Sequence, residues 1–149
     1  MRILLQRVSH ARVVVDDRDI GSIDLGCLLL LGITHDDSHQ DADRLARKVA
    51  NLRIFPNDAG KFDRSLIDVG GGALVVSQFT LFADTSQGNR PSFLGAARPD
   101  QASPLCDYFV QALRKQGIGR VETGQFAADM KVTLCNDGPV TLWLDTDEF

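Results

Sequence analysis

Cysteine is scarce and irregularly spaced in this chain of 149 residues, with Cys27, Cys106 and Cys135 its only three. None forms a CxxC pair, so neither a zinc knuckle nor a thioredoxin-type redox centre is supported. Their mostly apolar neighbours predict buried free thiols in a reducing compartment. Histidine is equally sparse: His10, His35 and His39 belong to no HExxH helix and to no GxSxG nucleophile turn. Each is expected at the surface or a sheet edge, with His10 a candidate for the pocket neighbourhood because it follows Arg7. Long apolar runs are missing too. The longest, Cys27–Leu31 continued by Gly32 and Ile33, is far too short to cross a bilayer, and no secretory leader is readable. A cytoplasmic protein with no membrane association is the expectation. Basic charge is outweighed, 16 Lys and Arg against 20 Asp and Glu, for a net −4. That balance argues against wrapping long nucleic acid, and no DNA partner is expected, but it leaves room for gripping the tip of an RNA.

What is present is ordinary globular composition, 44% hydrophobic and 24% charged, so a packed core is affordable over one domain, residues 1–149. Strands are predicted at Arg2–Val8 and Ala11–Val15, with a return strand from Ile20 after a turn marked by Asp16, Asp17 and Asp19. The continuous apolarity of Cys27–Ile33 suits a strand covered on both faces. Ser38, with Asp41 three residues on, starts a helix whose apolar stripe is Ala42, Leu45, Ala46, Val49 and Leu52. Arg44, Arg47 and Lys48 fall on its other face, where a solvated surface competes with an RNA-backbone contact. A short strand Arg53–Phe55 stops at Pro56, a polar loop covers Asn57–Ser65, and Gly70–Gly72 form a flexible joint. No GK[ST] follows those glycines, so they are no phosphate loop. Ala73–Phe82 is expected to be one strand. A second helix spans about Pro99–Gln116, buried through Leu105, Phe109, Val110 and Leu113, with Ser103 the alternative cap ahead of Pro104. Strands Met130–Cys135 and Val140–Leu144 close the chain as a hairpin broken at Gly138-Pro139. The fold class expected is α/β in the α+β sense: a mixed, largely antiparallel, barrel-like sheet with two main helices.

Two segments demand explanation. In an extended strand, Gln78 and Thr80 would share one face and Ser77, Phe79 and Leu81 the other. Buried, such amide and hydroxyl groups need partners, because leaving one unpaired costs about 1–3 kcal/mol. They are either cross-strand hydrogen bonders or the wall of a site. The Gly138-Pro139 step is either a plain turn or something more specific, and the residues themselves do not set its peptide isomer.

Ser77-Gln78-Phe79-Thr80-Leu81 and Asn136-Asp137-Gly138-Pro139-Val140-Thr141 resemble the two signature motifs of the D-aminoacyl-tRNA deacylase family, also known as D-tyrosyl-tRNA deacylases. The likeness extends to QRV at Gln6–Val8, RIFPNDAGK at Arg53–Lys61, RPSF at Arg90–Phe93, DYFV at Asp107–Val110 and FAADMKV at Phe126–Val132. Either motif by itself is weak, whereas the ordered set is specific. The resemblance implies an ester hydrolase that frees D-amino acids from tRNA and works as a homodimer. It implies a cis Gly138-Pro139 step whose backbone carbonyls reach into the partner's pocket and face the amino acid on the tRNA's 3′ end. An L side chain would strike rigid backbone there; a D side chain points elsewhere, and glycyl-tRNA, with no side chain to reject, becomes a second substrate. It places Arg7 beside that motif, Phe126 and Met130 in the pocket wall, and Asn136 with the selection residues. No metal cluster is visible in the sequence, so no metal and no cofactor are expected.

For the chemistry, Ser77, Gln78, Phe79 and Thr80 are the catalytic candidates. Thr80 or Ser77 could attack directly, yet no histidine, lysine or carboxylate within the motif would activate either. The favoured alternative is water, activated by the substrate's own 2′-hydroxyl, with backbone N–H groups near Phe79 and Thr80 holding the oxyanion. Competing readings are a non-catalytic RNA-binding domain on the same scaffold, a small-molecule esterase, and a relative editing L-alanine with Gly138-Pro139 trans.

Overall fold

The computed structural model describes residues 1–149. Its organising element is β1 (Arg2–Val15), a single strand rather than the two expected. Ser9 and His10 are polar and exposed, which suggested a break, but the strand runs through them because two different neighbours share one of its edges. Residues 2–8 pair antiparallel with β3 (Gly26–Gly32), and residues 11–15 pair antiparallel with β2 (Arg18–Ile23). The other edge of β1 carries β8 (Lys131–Asp145) over almost its whole length.

The remaining strands extend the sheet through parallel steps. β6 (Gly72–Ser77) lies parallel to β3, and β7 (Val121–Thr123) lies parallel to β6, for the order β2-β1-β3-β6-β7 with β8 added on β1. Each parallel step is bridged by a helix, α1 (His39–Asn51) and α2 (Pro99–Lys115), as parallel neighbours require. The two end strands curl toward each other: a Cβ added at Gly21 of β2 would lie 2.6 Å from the Thr123 carbonyl of β7. The sheet is thus mixed, mostly antiparallel about β1, and nearly closed.

Alternation sends successive side chains of β3 and β6 to opposite faces. Cys27, Leu29, Leu31, Ala73 and Val75 join the larger core beneath α1 and α2, while Leu28, Leu74 and Val76 join a smaller core with Val8, Val13 and Ile23. This is why the β3 segment has no polar face. Burying each such Leu, Ile, Val or Phe is worth roughly 1.5–3 kcal/mol.

The helices follow their sequence signals closely. The Asp41 carboxylate accepts from both the Ser38 N–H (2.9 Å) and the Ser38 hydroxyl (2.7 Å), tying down the start of α1. Ala42, Leu45, Ala46, Val49 and Ala50 are buried; Leu52, expected in the stripe, is instead the half-buried residue that ends the helix. α2 begins at Pro99, not after Ser103, so Pro104 lies inside it. That proline deprives only the Asp100 carbonyl of its partner, in the exposed first turn where solvent replaces it.

Three further expectations are corrected. The loop Asn57–Ser65 contains β5 (Phe62–Arg64), paired with β4 (Phe55–Pro56) in a small separate hairpin. The triple glycine is no flexible joint, since Gly72 already pairs with Gly26 in the sheet. Residues 131–145 form no hairpin: β8 is one strand, antiparallel to β1 on both sides of Gly138-Pro139. Pairing passes from Gln6 with Thr141 to Val8 with Asn136, so the residues between bulge out of an otherwise unbroken ladder.

Candidate active site

β6 stops at Ser77, and Phe79–Phe82 turn into a short 3-10 helix. The strand expected to continue to Phe82 ends here because Gln78 is the last residue bonded to β3, its N–H donating to the Leu31 carbonyl at 2.7 Å. The face alternation expected for Ser77–Leu81 therefore does not hold. Ser77, Gln78 and Phe79 all wall one cavity, and the Gln78 amide donates to the Thr80 hydroxyl oxygen. Both polar groups meet at the strand end near solvent, so neither is left unpartnered in the core. Thr80 itself is exposed and lies outside the cavity lining.

The cavity holds about 900 Å³ and is predominantly apolar, with Phe126 and Met130 among its lining residues. That is the size and character of a site for one small or nucleoside-sized ligand. Its wall comes from segments far apart in the chain: residues 31–35 at and beyond the end of β3, the end of β6, residues 93–102 leading into α2, and residues 126–132 leading into β8. Phe79 meets Phe93 edge-on, ring centroids 5.0 Å apart, fixing one side of the mouth.

Three wall residues carry no signature in the sequence. Leu94, 87% exposed, stands at the rim, and Arg98 is the sole cation of the lining. His35, expected at the surface, is exposed but also borders the cavity, with Nε2 2.8 Å from the Leu94 carbonyl. A carbonyl only accepts, so that nitrogen carries the proton. Only proximity in space brings these residues in, and no spacing in the chain announces it. His10 lies on β1 beside Ser9, outside the lining.

Gly138 and Pro139 stand apart from this cavity. Both are exposed, their peptide bond is cis, and Gly138 has φ of +127°, in the region L side chains rarely enter. The bulge is held from below by Arg7, whose guanidinium is almost wholly buried. Its Nε donates to the Asp137 carbonyl at 3.0 Å and lies 3.3 Å from the Asp137 carboxylate, while Nη1 donates to the Ile54 carbonyl. Asn136 closes the base of the bulge. Its Oδ1 accepts from the Val140 N–H at 3.2 Å, and its Nδ2 donates to the Thr141 hydroxyl at 2.9 Å. Within one chain, then, Ser77, Gln78, Phe79, Phe126 and Met130 gather at the cavity. Arg7, Asn136, Gly138 and Pro139 gather at an exposed loop elsewhere.

The thiols offer no nucleophile here. Burial pushes Cys27 up to about 12 against a weaker opposing pull from Arg7, and burial with Asp107 nearby raises Cys106 to about 11. Cys135, expected buried, is exposed because it shares the outward face of β8 with Lys131 and Thr133, while Val132 and Leu134 alternate onto the half-buried face. No group of three or more His, Cys, Asp or Glu side chains is placed to hold a metal, and no helix is long and apolar enough to cross a membrane.

Comparison with known proteins shows the family. A family model described as D-Tyr-tRNA(Tyr) deacylase matches residues 4–145. The D-aminoacyl-tRNA deacylase of Thermomicrobium roseum is 59% identical over 148 residues, 99% of this chain and 96% of that protein. That of Thermus aquaticus is 53% identical over 99% and 97%. Among solved structures, one titled c-Myc DNA Unwinding Element Binding Protein superposes with a TM-score of 0.91 at 37% identity, covering 97% of this chain and 98% of its own. A probable eukaryotic D-amino acid tRNA deacylase, 16% identical, shares the fold with a TM-score of 0.85 over 96% and 97%. The match across nearly the whole length, signature segments included, places this chain in the D-Tyr-tRNA(Tyr) deacylase family, a family of hydrolases.

Proposed function

We propose that this chain hydrolyses the ester bond of D-aminoacyl-tRNA, and of mischarged glycyl-tRNA, while sparing L-aminoacyl-tRNA. The carrying observation is the separation just described: Ser77, Gln78 and Phe79 wall one cavity, and the Gly138-Pro139 bulge is exposed and forms no part of its lining. A second copy of the chain can bring its bulge to the cavity of the first, which makes the functional unit a homodimer with two sites. Backbone carbonyls of the bulge then face the α-carbon substituents of the bound ester. A D side chain is directed away from them and an L side chain into them; glycine offers nothing to exclude. A buried guanidinium beneath the bulge supports the rigidity this requires, since a soft wall would yield to the wrong enantiomer.

The hydrolytic step uses water. Water adds to the ester carbonyl as the vicinal 2′-hydroxyl accepts its proton and passes its own proton to the departing 3′-oxygen. The carbonyl–O3′ bond breaks to give the free amino acid and the tRNA hydroxyl, and the N–H groups of Phe79 and Thr80 stabilise the oxyanion formed between. Support comes from Thr80, whose hydroxyl oxygen receives a hydrogen bond from Gln78, with no histidine, lysine or carboxylate bonded to it to act as base. An aminoacyl ester is already reactive, so positioning supplies much of the acceleration.

Release of free amino acid from one tRNA charged with the D-, the L- or the achiral residue tests the reading. The D and glycyl esters should be cleaved and the L ester spared by at least about a hundredfold. Equal rates for D and L would overturn it. For the chemistry, Thr80→Ala should retain kcat within roughly tenfold, the cost of a disturbed neighbour of the oxyanion donors. A loss of a thousandfold or more, with an acyl-enzyme trapped on native protein, would mean covalent catalysis instead.

A further inference from the structure

The outer face of α1 carries a second concavity, about 690 Å³, which the proposed chemistry does not use. Arg44, Arg47, Lys48 and Arg53 line it, four of the chain's 16 Lys and Arg within ten residues of an otherwise acidic protein. The two outer cations are held in place. Arg44 donates to Asp41 (3.1 Å) and to the Thr146 carbonyl (2.9 Å), and Arg53 is paired with Asp63. Between them, Arg47 and Lys48 are exposed and have no carboxylate partner; Lys48 instead lies 5.0 Å over the ring of Phe149. Arg44 with Arg47, and Arg44 with Lys48, fall three and four residues apart on one helix face. Like charges at those spacings repel, so the arrangement costs helix stability that an anionic partner would restore.

The groove is also tied to the Gly138-Pro139 bulge. Arg53 leads directly to Ile54, whose carbonyl accepts from Arg7, and the same guanidinium holds the Asp137 carbonyl. One side chain thus links the end of the groove to the start of the bulge. We infer that the groove binds the phosphodiester backbone of the tRNA acceptor arm, with Arg47 and Lys48 as phosphate contacts. This rests on the proposed function: when the bulge enters the partner's cavity, the groove beside it flanks that cavity's mouth, where the strand leading to the 3′ adenosine must pass. Point cations on phosphate, without base readout, would let one surface serve many tRNAs. Confinement to one groove also reconciles RNA binding with a net charge of −4.

The test compares native protein with Arg47→Gln/Lys48→Gln and with a control of equal net charge, Arg18→Gln/Lys115→Gln, each checked to melt no lower than the native protein. The groove variant should raise KM for D-aminoacyl-tRNA about tenfold at unchanged kcat, and weaken binding of uncharged tRNA in parallel. The slope of log Kd against log salt should fall by about 1.5, as loss of two phosphate contacts requires. Cleavage of a D-aminoacyl ester of adenosine, which has no backbone to reach the groove, should stay at the native level. Matching KM and salt slope in the two double variants would overturn the inference, as would an equal rise in KM for the adenosine ester. If native protein released no D-amino acid at all, the function reading would fall, and binding of uncharged tRNA would still decide whether the groove holds RNA.

Discussion

The substitution Gly138→Ala is expected to lower kcat/KM for D-aminoacyl-tRNA about a hundredfold, most of it in kcat. At φ of +127° an L side chain is strained whatever the space, at a cost of about 1–3 kcal/mol. Space is lacking too: the new Cβ would sit 2.8 Å from a Val140 methyl and 2.9 Å from Arg7 Nη2. Val140 is buried and Arg7 is bonded on two sides, so neither retreats freely and the bulge must shift. A displacement near 1 Å in a positioning element can cost on the order of a hundredfold in rate. The fold should survive, because the strain is confined to an exposed bulge between two intact stretches of ladder. Single-turnover deacylation and thermal melting check both halves. Native rates on D-aminoacyl-tRNA in a folded variant would remove this bulge from the mechanism.

The second large effect is expected at Arg7, and here stability suffers with activity. Arg7→Ala leaves the Asp137 and Ile54 carbonyls without their donor and the Asp137 carboxylate without its cation. It also removes a guanidinium lying 5.5 and 6.0 Å from the Phe62 and Phe55 ring centres. Hydrogen bonds to charged groups are worth about 1.5–3 kcal/mol each, so a loss of about 3 kcal/mol is expected. That is a large share of the roughly 5–15 kcal/mol that holds a domain together. Denaturant unfolding should register it, and deacylation should fall at least a hundredfold. Arg7→Lys should rescue little, because one ammonium cannot reproduce a planar fork serving two carbonyls in different directions. Since Arg7 Nη2 is what a Cβ at 138 would strike, the two substitutions are coupled. The double variant Arg7→Ala/Gly138→Ala should lose less than the sum of the singles. Strict additivity would mean that the guanidinium does not set the position of the bulge.

Much of the architecture was legible along the chain. The apolar run of β3 predicts burial on both faces, and the two cores on either side of the sheet account for it. Ser38 with Asp41 marks the start of α1, and Leu105, Phe109, Val110 and Leu113 mark the buried stripe of α2. Such features are written locally, because helix capping and side-chain periodicity depend on residues within a few positions of each other. Breaks within elements were read less well. Ser9-His10 suggested an interruption that is absent, and the apolar Ala73–Phe82 concealed a real one after Ser77. Gly138-Pro139 looked like the end of a hairpin because both residues weaken strands, yet β8 resumes beyond them. Whether a strand continues depends on its neighbour. β1 supplies partners from Arg2 to Val14 for β8, whereas Leu31 is the last partner β3 offers to the end of β6.

By itself, then, the order of residues determined the element types, the buried faces and the two motifs that identify the family, all of which rest on short-range pattern. Tertiary structure decided which of those residues meet. Residues 31–35, 76–79, 93–102 and 126–132 converge on a cavity only because β6 ends where the chain after β7 folds back past it. Arg7 lies beneath Gly138, 131 positions away, only because β1 pairs with both halves of β8 around the bulge. Contacts of that range are set by sheet register and core packing, and neither quantity has a local signature in a single chain.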